Sequence, residues 1–175
     1  SDQVRTIKWG NPADADDLDM GSLIGQAHAD KVEGMVNRAL EANAELVLGG
    51  HRPDRPGAYF EPTIIANPDQ DSEIVQDEVF GPVVGIMPVG GDEEAIALMN
   101  DSSFGLTAAV WTADAEAAVA IGDRVETGTW FMNRCDYLDP ALCWTGCKDT
   151  GRGAGLSILA YQALTRPKSY HLKKA

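Results

Sequence analysis

Residues 76–82, Gln-Asp-Glu-Val-Phe-Gly-Pro, place a carboxylate and an aromatic ring two positions apart, just before an apolar segment. Glu78 is ionised at pH 7 and only accepts hydrogen bonds, so it could hold both hydroxyls of a ribose. Phe80 offers an apolar π-face beside it, and Gly81 and Pro82 fix a turn. The pattern indicates a site for a ribose carrying a flat ring. A strand lead-in with a solvated acid would have the same residues.

Six segments in order along the chain resemble the aldehyde dehydrogenase superfamily. The order carries more weight than any single match. The segments are 19–24 (Asp-Met-Gly-Ser-Leu-Ile), 59–63 (Tyr-Phe-Glu-Pro-Thr), 76–82, 100–108 (ending Phe-Gly-Leu-Thr-Ala), 128–133 (Gly-Thr-Trp-Phe-Met-Asn) and 146–151 (Gly-Cys-Lys-Asp-Thr-Gly). Departures from the family pattern occur at Ser22, Thr145 and 154–155. The last two match the substrate and subunit side of the family, so they bear on subfamily and substrate specificity.

The resemblance implies roles for the two residues of the first motif. In the family, the residue matching Glu78 binds the nicotinamide ribose of NAD or NADP, and the residue matching Phe80 packs beside the nicotinamide. The Gly-rich dinucleotide-binding half, the general-base Glu, the oxyanion Asn and the nucleophilic Cys lie upstream of the matching segment. We therefore expect no catalytic residue in this chain, an incomplete NAD(P) site, a missing N-terminal half as partner, and no turnover by the isolated chain.

Three residues are candidates for the pocket that receives a small-molecule aldehyde. Tyr137, Leu138 and Trp144 match the family region that lines the aldehyde entrance, where apolar walls exclude water. The alternative is that these side chains only fill the core, and the sequence does not separate the two.

Composition excludes several other classes of function. The chain has 175 residues, 44% of them hydrophobic, which favours a single domain. Its net charge of −13 opposes binding to nucleic acid or to an anionic membrane surface. No apolar run is long enough to span a bilayer, no secretion signal is visible, and the three cysteines form no disulfide framework. We expect a cytoplasmic protein.

Three further patterns have simple interpretations. Cys135, Cys143 and Cys147 with His171 could ligate zinc, but they lack a Cys-x-x-Cys pair, so no metal site is predicted. The glycines at 151, 153 and 155 follow a loop rather than a strand, which favours turn glycines over a phosphate loop. His28 and His51 have no partner suggested by the sequence and are expected at the surface.

The predicted fold class is α/β, a mostly parallel sheet with flanking helices, matching a truncated aldehyde dehydrogenase catalytic domain. Apolar periodicity predicts a helix over 26–43. Further helices are expected after Asp92 and Asp114, each with that aspartate as N-cap. Strands are predicted at 46–48, 59–66, 83–89, 106–111 and 129–132. The last three should form one parallel sheet with right-handed crossovers. The strand at 83–89 is predicted to be buried. Residues 1–25 and 134–156 are predicted to be loops.

The C-terminal segment is predicted to be an assembly element. We divide the chain into 1–156, a portion of the catalytic domain, and 157–175, a short helix followed by a strand over 165–173. Pro167 removes a hydrogen-bond donor, which favours an edge or exchanged strand. The resemblance implies a homo-oligomer in which this strand joins a neighbouring subunit. A non-catalytic structural or assembly module, such as a split or truncated subunit, is the alternative function.

Overall fold

The computed structural model describes residues 2–135 and 137–174, which belong to two units, Ser1–Pro88 and Val89–Ala175. The first unit runs in chain order through α1 (Asp2–Arg5), α2 (Gln26–Glu41), β1 (Glu45–Leu48), β2 (Thr63–Ala66), α3 (Glu73–Gln76) and β3 (Val83–Ile86). The segment predicted to be a loop at 1–25 also contains a bridge between Trp9 and Met20.

Helix α2 supplies most of the core of the first unit, which confirms the helix predicted from apolar spacing. Its five buried side chains recur every three or four residues and so form one face. They are Ala29, Val32, Met35, Val36 and Ala39. Val32, Val36 and Ala39 pack with Phe60 and Ile65 in a single cluster. Burial of this face supplies the main stabilisation of α2.

The sheet of the first unit has β2 at its centre, with β1 antiparallel on one side and β3 parallel on the other. Thr63, in β2, is buried, and its hydroxyl donates to the Glu61 carbonyl (2.7 Å) and accepts from the Gly50 amide (2.9 Å). The prediction that residues 83–89 form a buried strand is wrong on burial. Val84 and Ile86 are 49% and 52% exposed, because β3 is an edge strand in this chain.

The second unit contains short elements in two small sheets. They are α4 (Asp92–Asn100), β4 (Phe104–Gly105), β5 (Thr107–Val110), α5 (Ala115–Gly122), β6 (Thr129–Met132), β7 (Cys147–Lys148) and α6 (Leu159–Leu164). Strands β5 and β6 pair in parallel and are connected by α5. Strand β4 pairs antiparallel with β7. The single parallel sheet predicted over 83–132 is therefore wrong: β3 belongs to the sheet with β2, while β5 and β6 form another.

The two predicted aspartate caps have different outcomes. Asp114 caps α5 as predicted, because its carboxylate accepts from the amides of Glu116 (2.9 Å) and Ala117 (3.0 Å). The prediction for Asp92 is wrong, since Gly91 is the N-cap of α4 and no side chain caps that helix. Asp92 lies inside the first turn, where its charge still favours the positive end of the helix.

A bidentate ion pair joins α4 to Arg124, the second residue after the end of α5. The two terminal nitrogens of Arg124 each donate to one carboxylate oxygen of Glu93 at 2.6 Å. The hydrogen bonds, and then the charge of Arg124, hold the pKa of Glu93 below its ordinary value, and Glu93 raises the pKa of Arg124 in return. Both side chains are exposed, so water and salt screen the attraction.

The C-terminal segment agrees with the prediction only in part. Helix α6 lies within the expected 157–164, but residues 165–174 form no regular structure in this single chain and are exposed. The strand predicted at 165–173 is therefore not formed here, and its pairing with another subunit stays a prediction. In the described part of the chain, no helix has the length and apolar character needed to cross a membrane.

Candidate functional site

Glu78 and Phe80 lie on the turn between α3 and β3, separated by a side chain that points the other way. Both are exposed, Phe80 by 74%, whereas Val79 packs against the core cluster of the first unit. The core thus anchors the middle residue and leaves a carboxylate and a phenyl ring free to meet a ligand. A 74% exposed phenyl ring is costly in water unless something covers it.

Helix α2 supports this turn from both sides. Before the turn, Arg38 donates through Nε (3.0 Å) and a terminal nitrogen (2.5 Å) to one carboxylate oxygen of Glu73, in α3. After the turn, Gly81 lies so close to Val32 that an added Cβ would be 2.9 Å from Cγ2 of that valine. The turn is therefore fixed to a helix that is distant in the chain, since Arg38 and Glu73 are 35 residues apart.

His28 makes a third contact between α2 and the turn, which was not predicted from the sequence. Its Nε2 lies 2.7 Å from the carbonyl oxygen of Phe80, 52 residues away. The half-buried position agrees only loosely with the predicted surface histidine. The sequence does indicate that His28 lies on the same helix face as Val32, because the two residues are four positions apart.

The second candidate site is a cavity of about 120 Å³ in the second unit. Two of the three predicted pocket residues, Tyr137 and Trp144, line it together with Thr129, Phe131, Arg134, Asp139, Leu142, Cys143 and Leu156. Leu138 is not one of its lining residues and is 55% exposed. The cavity can enclose only a small, mainly apolar group.

Three of the lining residues carry polar side chains whose contacts are described: Arg134, Thr129 and Asp139. The Arg134 guanidinium carbon lies 3.7 Å from the centroid of the Tyr137 ring, a cation–π contact. The Thr129 hydroxyl oxygen is buried and has no hydrogen-bond partner within the described residues. Asp139 is already engaged, since its carboxylate accepts from the Ala141 amide at 2.9 Å. A buried hydroxyl without a partner is a natural contact for a ligand or water.

Close backbone contacts hold the loop that contributes Trp144. Trp144 and Gly155 exchange two backbone hydrogen bonds of 2.8 Å, and the Thr145 hydroxyl donates to the Gly153 carbonyl, also at 2.8 Å. Gly151 and Gly153 have φ of 123° and 104°, as expected of turn glycines, whereas Gly155, predicted with them, lies in the antiparallel bridge with Trp144.

Lys148 fixes the neighbouring strand β7. Its ammonium donates to the carbonyls of Asn100 (2.6 Å) and Ser102 (2.9 Å) at the end of α4 and lies 3.1 Å from a carboxylate oxygen of Glu126. A lysine at a helix C-terminus is favourable because the carbonyls there are partly negative.

The cysteines belong to no candidate metal-binding group in residues 2–135 and 137–174. Cys135 is exposed, Cys143 and Cys147 are half-buried, and all three are free thiols. Within those residues no group of three or more His, Cys, Asp or Glu side chains could hold a metal ion. Cys143 and Arg134 are both lining residues of the cavity.

The amino-acid sequence matches the aldehyde dehydrogenase family over residues 1–170. The chain belongs to the aldehyde dehydrogenase family. Betaine aldehyde dehydrogenase of Bacillus subtilis (strain 168) is 36% identical over 170 residues, which are 95% of this chain and 34% of that protein. Succinate-semialdehyde dehydrogenase [NADP(+)] of Deinococcus radiodurans is 33% identical over 91% of this chain and 33% of its own length.

Solved structures of aldehyde dehydrogenases have the same fold over most of the chain. Betaine aldehyde dehydrogenase of Staphylococcus aureus in complex with NAD+ superposes with a TM-score of 0.85 and 38% identity, covering 92% of this chain and 33% of that one. Lactaldehyde dehydrogenase of Escherichia coli gives 0.86 and 31%, covering 91% and 33%. The chain therefore spans about a third of the aldehyde dehydrogenases it matches, and the predicted α/β fold class is confirmed.

Proposed function

We propose that this chain is part of an NAD(P)-dependent aldehyde dehydrogenase and carries the side of the site that holds the nicotinamide and its ribose. The observation that supports this most is the alternation on the turn at 78–80. Val79 is packed inward, so Glu78 and Phe80 are both presented to solvent from a fixed backbone. The residues present fit the group, because a diol needs an acceptor and a flat ring needs an apolar face.

The reaction proposed for the whole enzyme oxidises an aldehyde to a carboxylic acid through a thioester on a cysteine that is not in this chain. The bound NAD or NADP would accept the hydride. Glu78 would orient the ribose by accepting from its hydroxyls, and Phe80 would limit the positions of the attached ring. Both act by positioning a reactant, which contributes to rate without a chemical step of their own.

The cavity at Tyr137 and Trp144 is proposed as part of the wall that receives the aldehyde, with Leu138 at its exposed margin. Aromatic and aliphatic walls exclude water, and the unpartnered Thr129 hydroxyl offers one polar contact. The small volume, about 120 Å³, suits the apolar tail of a small aldehyde better than a large ligand.

Binding of nicotinamide riboside to the chain tests the cofactor role. This probe contains the two groups assigned to Glu78 and Phe80 and no phosphate, which a chain of net charge −13 would repel. Replacing Glu78→Gln should weaken the affinity by about tenfold, because hydrogen bonds to a charged acceptor are the stronger ones. Asp77→Asn is the matched control, since it removes one negative charge from the adjacent exposed position.

An activity assay tests the proposal that the site is incomplete. The 175-residue chain, incubated with aldehydes and NAD or NADP, should give no increase in NADH or NADPH absorbance. Turnover that depends on the cofactor would contradict the proposal that the nucleophile and the general base lie outside this chain.

The second candidate function is assembly, and the exposed apolar side chains of the C-terminal segment favour it. Five large ones are between 70% and 85% exposed: Ile158, Tyr161, Leu164, Tyr170 and Leu172. Such surface is typical of an interface, so we propose a homo-oligomer. Deleting 165–175 should lower the mass measured by light scattering. An unchanged mass would exclude this segment as the assembly element. Cytoplasmic location and the exclusion of nucleic-acid and membrane partners remain predictions from composition.

A further inference from the structure

The hydrogen bond between His28 and Phe80 has a defined donor and a defined acceptor. The Phe80 carbonyl oxygen can only accept a hydrogen bond, so Nε2 of His28, 2.7 Å away, must carry the proton. Neutral His28 is then the Nε2–H tautomer, with Nδ1 free to accept. The bond fixes the orientation of the peptide group between Phe80 and Gly81.

That peptide group follows a residue in an uncommon conformation. Phe80 has φ of 49°, in the left-handed region that bulky side chains rarely adopt. Such a conformation persists only where the surroundings hold it, and it is frequent at sites that grip a ligand. Gly81 against Val32 and Val79 in the core hold the two neighbouring residues, while the His28 bond acts on Phe80 itself.

We infer that His28 is a positioning residue for nicotinamide binding, acting through the Phe80 carbonyl to keep the ring of Phe80 and the carboxylate of Glu78 on one exposed face. The inference rests on the proposed cofactor role of Glu78 and Phe80. The hydrogen bond of His28 is to the backbone of the turn, so the proposed effect on a ligand passes through the conformation of Phe80.

Three single variants separate the effect of the N–H donor of His28 from the effect of the rest of its side chain. His28→Ala removes the hydrogen bond. His28→Gln keeps an N–H donor at a similar distance from the helix. Asn37→Ala is the control, because Asn37 is exposed on the same helix and lies nine residues after His28. His28 is itself only half-buried, so all three variants should fold.

Each variant is titrated with nicotinamide riboside and followed by NMR. His28→Ala should weaken the affinity about threefold to tenfold, the range for one lost hydrogen bond. His28→Gln should recover the affinity to within about twofold on the same scale, and Asn37→Ala should match the unsubstituted chain. The ¹⁵N spectrum should show His28 as the Nε2–H tautomer, and only His28→Ala should shift the amide signal of Gly81 strongly.

The outcomes distinguish this inference from the function on which it rests. If the unsubstituted chain binds the riboside and His28→Ala binds equally well, the positioning role is wrong and the cofactor role stands. If His28→Gln loses as much affinity as His28→Ala, the donor is not what matters and the inference is also wrong. If the unsubstituted chain does not bind the riboside, the proposed function fails and this inference fails with it.

Discussion

The turn at 78–80 and the loop at 137–144 both present aromatic side chains, but they are held in different ways. Contacts from one distant helix fix the turn, through Arg38 to Glu73, Val32 to Gly81 and His28 to Phe80. Backbone contacts within the same stretch hold the loop, such as Trp144 to Gly155. Support from a packed helix is more rigid than support from neighbouring loop residues. We therefore expect substitutions in α2 or its core to alter the first site most.

The largest change in the free energy of unfolding is expected for a substitution in the core that packs against the turn. Phe60 is 1% exposed and packs in the cluster that also holds Val79. Phe60→Ala should lower the free energy of unfolding by about 3–5 kcal/mol because it leaves a cavity that the core fills only partly. Chemical denaturation measures the change. Ile24→Ala, at a side chain that is 95% exposed, is the control and should change stability by less than about 0.5 kcal/mol.

Gly128→Ala should disturb the second site through its backbone. An added Cβ at this position would collide with the carbonyl oxygen and carbon of Thr145, next to Trp144. We expect a loss of about 1–3 kcal/mol from overpacking, together with a displaced Trp144 side chain. Denaturation and tryptophan fluorescence follow the two effects. At Gly21 an added Cβ would make only ordinary contacts, the nearest 3.5 Å from Pro12, so Gly21→Ala is the control and should change stability by less than about 0.5 kcal/mol. Equal losses in the two variants would contradict this account of the loop.

Asp114→Ala should destabilise the second unit by about 1 kcal/mol, because two amides of α5 lose their acceptor. The comparison with Asp92→Ala is direct, since that aspartate stands at the start of α4 without capping it. Asp92→Ala should cost only the weaker charge term at a helix end, about 0.3–1 kcal/mol at low salt. If thermal unfolding showed the larger loss for Asp92→Ala, the assignment of the two caps would be wrong.

The smallest expected effect is the pH dependence from Glu93 and Arg124. Arg124 lowers the pKa of Glu93 in the folded chain, first by hydrogen bonding and then by charge. The stabilisation is therefore fully present above the ordinary pKa of Glu and is lost as the pH falls through the lowered value. NMR titration of the Glu93 side chain should show the low midpoint, and Arg124→Gln should return it to normal. A midpoint unchanged by Arg124→Gln would show that the pair does not form in solution.

Local patterns predicted the regular elements better than the site. The helix at 26–41, the strand at 129–132 and the Asp114 cap follow from apolar periodicity and capping chemistry, which act over a few residues. The exposure of β3 was missed because an apolar segment is identical in sequence whether its neighbours are present or not. The contact of His28 with Phe80 was missed because 52 residues separate them and no local rule connects a histidine to a distant carbonyl.

Glu78 and Phe80 were chosen from their chemistry, their spacing before a turn and the family resemblance, and their role in cofactor binding stays a prediction. The structure adds the reason that both remain exposed, which is the inward Val79 between them. Leu138 shows the limit of the same reasoning. It adjoins Tyr137, which lines the cavity, yet is itself 55% exposed and outside the lining.

The most direct measurement is the intermolecular nuclear Overhauser effect between nicotinamide riboside and the chain. We predict contacts from the nicotinamide ring protons to the ring of Phe80 and from the ribose protons to the side chain of Glu78. Contacts to neither residue, with the riboside bound instead against Tyr137 and Trp144 or elsewhere, would contradict the assignment of the turn at 78–80 as the nicotinamide site.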